Sequence, residues 1–265
     1  MCRTHPFSTK QARLRAGIHR AAFVLLGILV SAPLPAQPPQ GFTQTLPLPP
    51  NGVFELHNIN GSVRIDAWDR DEVLIQANKI AHSEFSAFEQ VHIRAEAQPG
   101  RVRVLTRYPE NERSDVQVDF RIRVPARVRL ERVETINGHI TVRGVEGEGE
   151  LRTVNGDITL LAASGRFSAR STNGNVHLEF RQLARAGAMV AETVNGTLTL
   201  VLPSHAGLEL QVSSHNGDFI SELPILVRAS SDTGEFHGVL GTPGPKIHLR
   251  TVNGGIRVAT LRPVI

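Results

Sequence analysis

Cysteine is nearly missing from this 265-residue chain, which has one in total, Cys2. Beyond that position no disulfide framework, thiolate nucleophile or Cys-based metal site can be built, so stability has to come from packing. Large amphipathic aromatics are almost as scarce, with one Trp, Trp68, and one Tyr, Tyr108. Past residue 125 there is neither, so the aromatic platforms that sugar-cleaving sites use are missing from the larger part of the chain. A long apolar run is missing too. The run from Ala21 to Val30 has ten residues, where a helix crossing the membrane needs about 20. Finally, no one sign of charge dominates once the N-terminus is set apart. Residues 1–36 carry Arg3, Lys10, Arg13, Arg15 and Arg20 with no carboxylate, leaving 24 of the 29 basic residues against all 25 acidic ones in the remaining 229. A net charge of minus one gives no basic stripe for neutralising phosphates, and nucleic-acid binding is not expected.

The N-terminus reads as an address. Basic residues up to Arg20 precede the ten-residue apolar run, and Leu34-Pro35-Ala36 supplies a small residue for cleavage after Ala36. Cys2 precedes the apolar run and leaves with the leader. The expected division is a signal peptide at 1–36, a Pro-rich lead-in at 37–50, an N-terminal β region at 51–130 and a repeat region at 131–265. A retained anchor is the alternative to cleavage; with cleavage no membrane span remains. The destination is the periplasm, the cell surface or the medium.

Self-similarity is the strongest signal. Thr135-Ile136-Asn137-Gly138-His139-Ile140 is followed by Thr153-Val154-Asn155-Gly156-Asp157-Ile158, Ser171-Thr172-Asn173-Gly174-Asn175-Val176 and Thr193-Val194-Asn195-Gly196-Thr197-Leu198. Asn58-Ile59-Asn60-Gly61-Ser62-Val63 precedes them, and Ser214-His215-Asn216-Gly217, Ser231-Asp232-Thr233-Gly234 and Thr251-Val252-Asn253-Gly254 continue the series. From Asn137 the key positions follow at intervals of 18, 18, 22, 21, 17 and 20 residues. Three after the key residue stands an apolar side chain in every copy, from Val63 to Ile256, with Phe219 and Phe236 in the same column. Four before it stands another, from Leu56 to Leu249, and two before it a Ser or Thr except at Asn58. The columns two after and three before are polar or charged, apart from Gly255. This is strand period, with each unit two strands joined by an Asn-Gly corner.

Two all-β architectures satisfy the pattern. An Asn-Gly between alternating runs is also a hairpin signal, which allows an antiparallel meander or sandwich. Repetition of the whole word, however, favours a parallel β-solenoid of about seven coils, where each Asn lies about 4.8 Å above the next and the amides form a ladder. The stretch between Asn60 and Asn137 offers strands at 72–77, 91–97, 101–106 and 116–124, a short helix at 83–90 and an exposed loop at 108–115. That block is expected to cap the first coil and cover its open edge.

The Thr-Val-Asn-Gly-Asp-Ile-Thr-Leu copies, together with Ala67-Trp68-Asp69-Arg70-Asp71-Glu72-Val73 and Ile122-Arg123-Val124-Pro125, resemble a bacterial adhesin-like family of unknown function, from about Asn51 to the C-terminus. The resemblance implies an envelope or secreted solenoid-like domain and carries over no catalytic residue.

Chemistry finds little purchase in the residues. His139 and His177 occupy different columns two coils apart, and no His-Glu-x-x-His or Cys pair exists, so no metal site is assigned. Asp157 and Asp218 share a column but stand three coils apart, too far to share a proton or an ion. Ser164-Gly165, Ser204-His205 and Gly241-Thr242-Pro243-Gly244 read as turns at the far corner of the coils. Trp68 and Tyr108 read as core or cap residues. No catalytic, cofactor-binding or metal residues are assigned, and no cofactor is expected. The reading is a non-catalytic, exported, adhesin-like module whose partner is an envelope protein or glycan. A carbohydrate-active β-helix enzyme and an envelope-stress sensor are the alternatives. A surface groove combining three or more carboxylates with Arg would favour the enzyme.

Overall fold

Val, Ile, Leu and Thr alternating with polar residues favour extended chain, and extended chain makes up almost all of the structure. The computed structural model describes residues 41–81, 87–109, 116–230, 235–242 and 244–262. The leader at 1–36 and the word at 231–234 lie outside these residues. The first strands are β1 (Gly41–Pro47), β2 (Gly52–His57), β3 (Val63–Trp68), β4 (Glu72–Ala81), β5 (His92–Gln98), β6 (Arg101–Arg107) and β7 (Val116–Pro125). Then come β8 (Arg127–Asn137), β9 (Ile140–Arg143), β10 (Glu146–Asn155), β11 (Ile158–Asn173), β12 (Val176–Leu183), β13 (Ala188–Asn195) and β14 (Leu198–Leu202). The last are β15 (Leu208–Asn216), β16 (Phe219–Ser221), β17 (Leu226–Ser230), β18 (Glu235–Leu240), β19 (Lys246–Asn253) and β20 (Ile256–Thr260). Among the described residues the one helix is α1 (Ala87–Gln90), a single turn within the stretch expected to be helical.

All these strands join one sheet, which the corners fold into two walls. Strands entering the Asn-Gly corners, with β6 beside β2, form the first wall in the order β6-β2-β8-β10-β11-β13-β19-β15, each neighbour parallel. Strands leaving the corners, with β7 beside β3, form the second, β7-β3-β9-β11-β12-β14-β20-β16, again parallel. The long β11 serves both, turning the far corner where Ala162 adopts a φ of 52°. The repeat is therefore a parallel, solenoid-like stack, and the antiparallel meander is set aside. Register brings equal columns together. Ile158 lies between Ile140 and Val176, and Leu151 between Val133 and Ala169. All six are fully buried in the single core that both walls share.

The repeated word has a physical reading at the near corner. Asn60, Asn137, Asn155, Asn173, Asn195, Asn253 and Asn216 form one ladder, each Nδ2 donating to the Oδ1 of the preceding Asn at 2.8 Å. The glycine beside each Asn is required by closeness. A Cβ on Gly174 would sit 2.0 Å from the carbonyl oxygen of Gly156, and φ there is +157°. That same carbonyl oxygen accepts the hydroxyl proton of Ser171 at 2.9 Å, as Gly138 O accepts from Thr153 and Gly174 O from Thr193. The buried Ser/Thr column is thus hydrogen-bonded to the coil beneath, which removes the cost of burying it. In the first copy the coil beneath is β7, and the longer Asn58 amide reaches Val118 O at 3.0 Å.

Antiparallel strands cover both ends. β4 pairs with β7 and β1 with β4 on the second wall, while β5 pairs with β6 on the first. At the other end β18 pairs with β15, and β17 with β18. This last pairing is a correction. The strands flanking 231–234 form a hairpin with each other, not two sides of a coil, and Phe236 and Phe219 are only half-buried, with ring centroids 4.9 Å apart. Sequence order also fails at this end. The Asn253 layer lies between those of Asn195 and Asn216. Asp157 and Asp218 are consequently four layers apart, not three. The arrangement has a physical logic. An interior layer must fit neighbours on both sides, and the regular Thr-Val-Asn-Gly word takes that place, while the Ser214-His215 variant with its three-residue β16 sits at the end.

Candidate functional site

Side chains alternate across a strand, so the first wall turns one full set of residues to solvent. That outer face carries interleaved charges from successive layers. Glu148 on β10 lies opposite Arg129 on β8 and Arg166 on β11 and pairs with both, at 3.3 Å to Arg129. Glu150 contacts Arg152 at 2.5 Å and Arg170 at 2.7 Å. Arg170 continues to Glu192 at 3.5 Å, and Glu192 to Arg250 at 3.9 Å. Towards β6, Glu55 meets His57 at 2.8 Å, Arg103 at 3.3 Å and Arg101 at 3.7 Å. These pairs are half-buried to exposed, open to solvent on the outer face, and add little stability individually. Their consequence is a flat face whose charges compensate one another.

A shallow groove of about 210 Å³ on this face is lined by Arg129, Glu131, Glu148, Glu150 and Arg166. It comes from an irregularity in β8. Leu130 pairs with Gly149 and Val133 with Leu151, so Glu131 and Arg132 share the place of one residue. A bulge of this kind re-aims a side chain. Glu131 turns to Arg101 on β6, whose guanidinium hydrogen bond holds the carboxyl below the usual carboxylate range. The groove contains three carboxylates and two guanidiniums, the composition that would favour an enzyme. The Glu131 carboxyl, however, is shifted away from the proton-holding form that a general acid needs.

The residues singled out from the sequence do not converge. His139 Nδ1 accepts from the Asp157 amide at 2.9 Å, Asp157 Oδ1 from the Asn175 amide at 2.7 Å, and Asn175 Oδ1 from the Thr197 amide at 2.9 Å. This column is a second ladder that bonds layers together. His177 lies on the second wall between Thr159 and Thr199, and burial pushes its imidazole pKa down, opposed in part by Glu179. Trp68 donates to Glu72 O at 2.8 Å, with Arg70 and Arg123 over its ring at 5.0 and 5.8 Å. Tyr108 caps the first corner, its hydroxyl donating to Asn60 O at 3.1 Å, and burial pushes its pKa up to about 12. Ser164 and Gly165 lie where β11 turns, while Ser204-His205 and Gly241-Thr242 lie in loops between strands; Pro243 is outside the described residues. Among the described residues no group of three His, Cys, Asp or Glu is placed to hold a metal, and no helix is long and apolar enough to cross a membrane.

A family model described as Toastrack DUF4097 matches residues 100–259, more than half of the chain. No curated protein matches the sequence significantly. Among solved structures the chain is similar to a "putative cell adhesion protein" from Clostridium sporogenes at 10% identity and a TM-score of 0.44, covering 84% of this chain and 100% of that one. It is similar also to a "putative adhesin" from Bacteroides fragilis at 11% identity and a TM-score of 0.43, covering 83% and 97%.

Proposed function

The chain belongs to the Toastrack DUF4097 family, and on that premise we propose that it is an exported, non-catalytic, adhesin-like interaction module of the cell envelope. In this reading residues 1–36 are removed on export, 37–50 lead in, 51–130 cap the stack and 131–265 form the repeat. The supporting observation is the outer face of the first wall, where Glu55, Glu148, Glu150 and Glu192 each lie beside guanidiniums of neighbouring layers. A rigid face with internally compensated charge offers specific contacts without attracting every polyanion or polycation.

The test combines localisation with cross-linking of the full chain in envelope fractions. A partner protein or glycan should be retained by the native chain and lost from Glu148→Arg/Glu150→Arg, with melting temperature preserved. A cytoplasmic location, or retention indifferent to the charge reversal, would contradict the reading. The groove composition favours a second reading, a carbohydrate-active enzyme. Glycan cleavage by the full chain that disappears in Glu131→Gln or Glu148→Gln would establish it in place of the first.

A further inference from the structure

Asn155 and Asn173 each follow the preceding corner by 18 residues, but Asn195 and Asn216 follow by 22 and 21. Register stays unbroken at the near corner, with Asn173 beside Asn195 and Val176 beside Leu198. The additional residues therefore emerge at the far corner, after β12 and after β14. Insertions gathered on one face of a repeat protein are where binding surfaces are grafted. Here the two lengthened loops, with Thr242, Gly244 and Pro245, line a cleft of about 580 Å³.

The charge in this cleft differs from that on the first wall. Arg181, Arg185 and His205 line it, all three exposed, and among the described residues no carboxylate does. The nearest acids in sequence are engaged elsewhere: Glu179 accepts from the Ala162 amide at 3.3 Å, and Glu209 pairs with Lys246 at 3.8 Å. Neither guanidinium has an ion-pair partner among the described residues. Among the described residues the lining also holds no aromatic ring on which a sugar could stack. Recognition would rest on charge and on the planar donor forks of arginine, which match oxyanions bidentately. A phosphate group near −2 balances the two guanidiniums.

We propose that this far-corner cleft binds a phosphate group, with Arg181 and Arg185 as the paired forks and His205 as a third donor, whether the phosphate is soluble or belongs to a lipid headgroup. Calorimetric titration of the full chain with inorganic phosphate, paired with flotation on phosphatidylcholine vesicles with and without phosphatidic acid, whose headgroup is a phosphomonoester, tests it. Saturable binding should weaken about tenfold or more in Arg181→Gln/Arg185→Gln and by less in Arg181→Lys/Arg185→Lys, with melting unchanged because the side chains are exposed. Retention only on the vesicles with phosphatidic acid identifies a headgroup, and binding of free phosphate alone a soluble source. No saturable binding in either arm, equal binding of acetate, or undiminished binding by the Gln pair would each overturn the assignment.

Discussion

The two corners of each coil obey different rules. At the near corner main chains meet so closely that a Cβ on Gly156, Gly174 or Gly196 would lie 2.0–2.2 Å from a carbonyl oxygen below. Every layer must solve the same contact with the same atoms, and Thr/Ser, Asn and Gly recur. At the far corner the chain turns through Gly144, through Ala162 at φ 52° or through loops of several residues. Backbones also touch at single far-corner positions, where a Cβ on Gly165 would lie 1.9 Å from the Gly147 carbonyl oxygen. Only at the near corner, however, does one contact recur at every layer with the same word; the far corner varies in length and sequence from layer to layer.

The largest expected effect lies one step inside the near corner. Val176 is fully buried between Ile158 and Leu198, so Val176→Asp should cost about 4 kcal/mol or more. Asn175→Asp next to it should cost less than about 1 kcal/mol, since the exposed carboxylate still accepts from the Thr197 amide. Similar losses in denaturant titration would mean the facing of the strand is wrong. Next comes the contrast between corners. Gly174→Ala should destabilise by about 2–4 kcal/mol through the carbonyl contact, whereas Ala162→Gly at the far corner should stay within about 0.5 kcal/mol. Equal costs would erase the distinction. Thr193→Val should lose about 1–2 kcal/mol, because the Gly174 carbonyl is left without the hydroxyl that now lies at 2.7 Å.

The smallest effect is a pH dependence. Burial lowers the His177 pKa from its ordinary value of 6.5, so the unfolded chain takes up the proton first. Stability should fall as pH drops through about 6.5 and level off once the folded imidazole is also protonated. His177→Gln should flatten that part of a melting-temperature profile. An unchanged profile would show that the imidazole is solvated on the folded wall.

Near-corner chemistry was legible in the sequence because a word repeated at every layer can reflect only a contact repeated at every layer. The order of the layers was not. The ladder fits any Asn-Gly corner over any other, so nothing in Thr251-Val252-Asn253 announces that it inserts ahead of Ser214-His215-Asn216. The hairpin of β17 and β18 was misread for a related reason, since Ser231 and Gly234 imitate the word without its Asn. The groove has a visible signal in the sequence. Arg127-Val128-Arg129-Leu130 alternates strictly, and Glu131-Arg132 breaks the alternation before Val133, which is the mark of the bulge. The far-corner insertions were likewise present in the spacings of 22 and 21, but only the stack brings the two loops together.

The arrangement of layers is tested most directly by cysteine cross-linking in a Cys2→Ser background. Glu192 lies directly beside Arg250, and Arg250 beside Ser213, so Glu192 and Ser213 are two layers apart. Oxidation should rapidly close a disulfide in Glu192→Cys/Arg250→Cys, within the Cα separation of about 4.4–6.8 Å that the bond requires, and leave Glu192→Cys/Ser213→Cys open at about 9.6 Å. Closure of the second pair and not the first would return the layers to sequence order and contradict the inserted C-terminal coil.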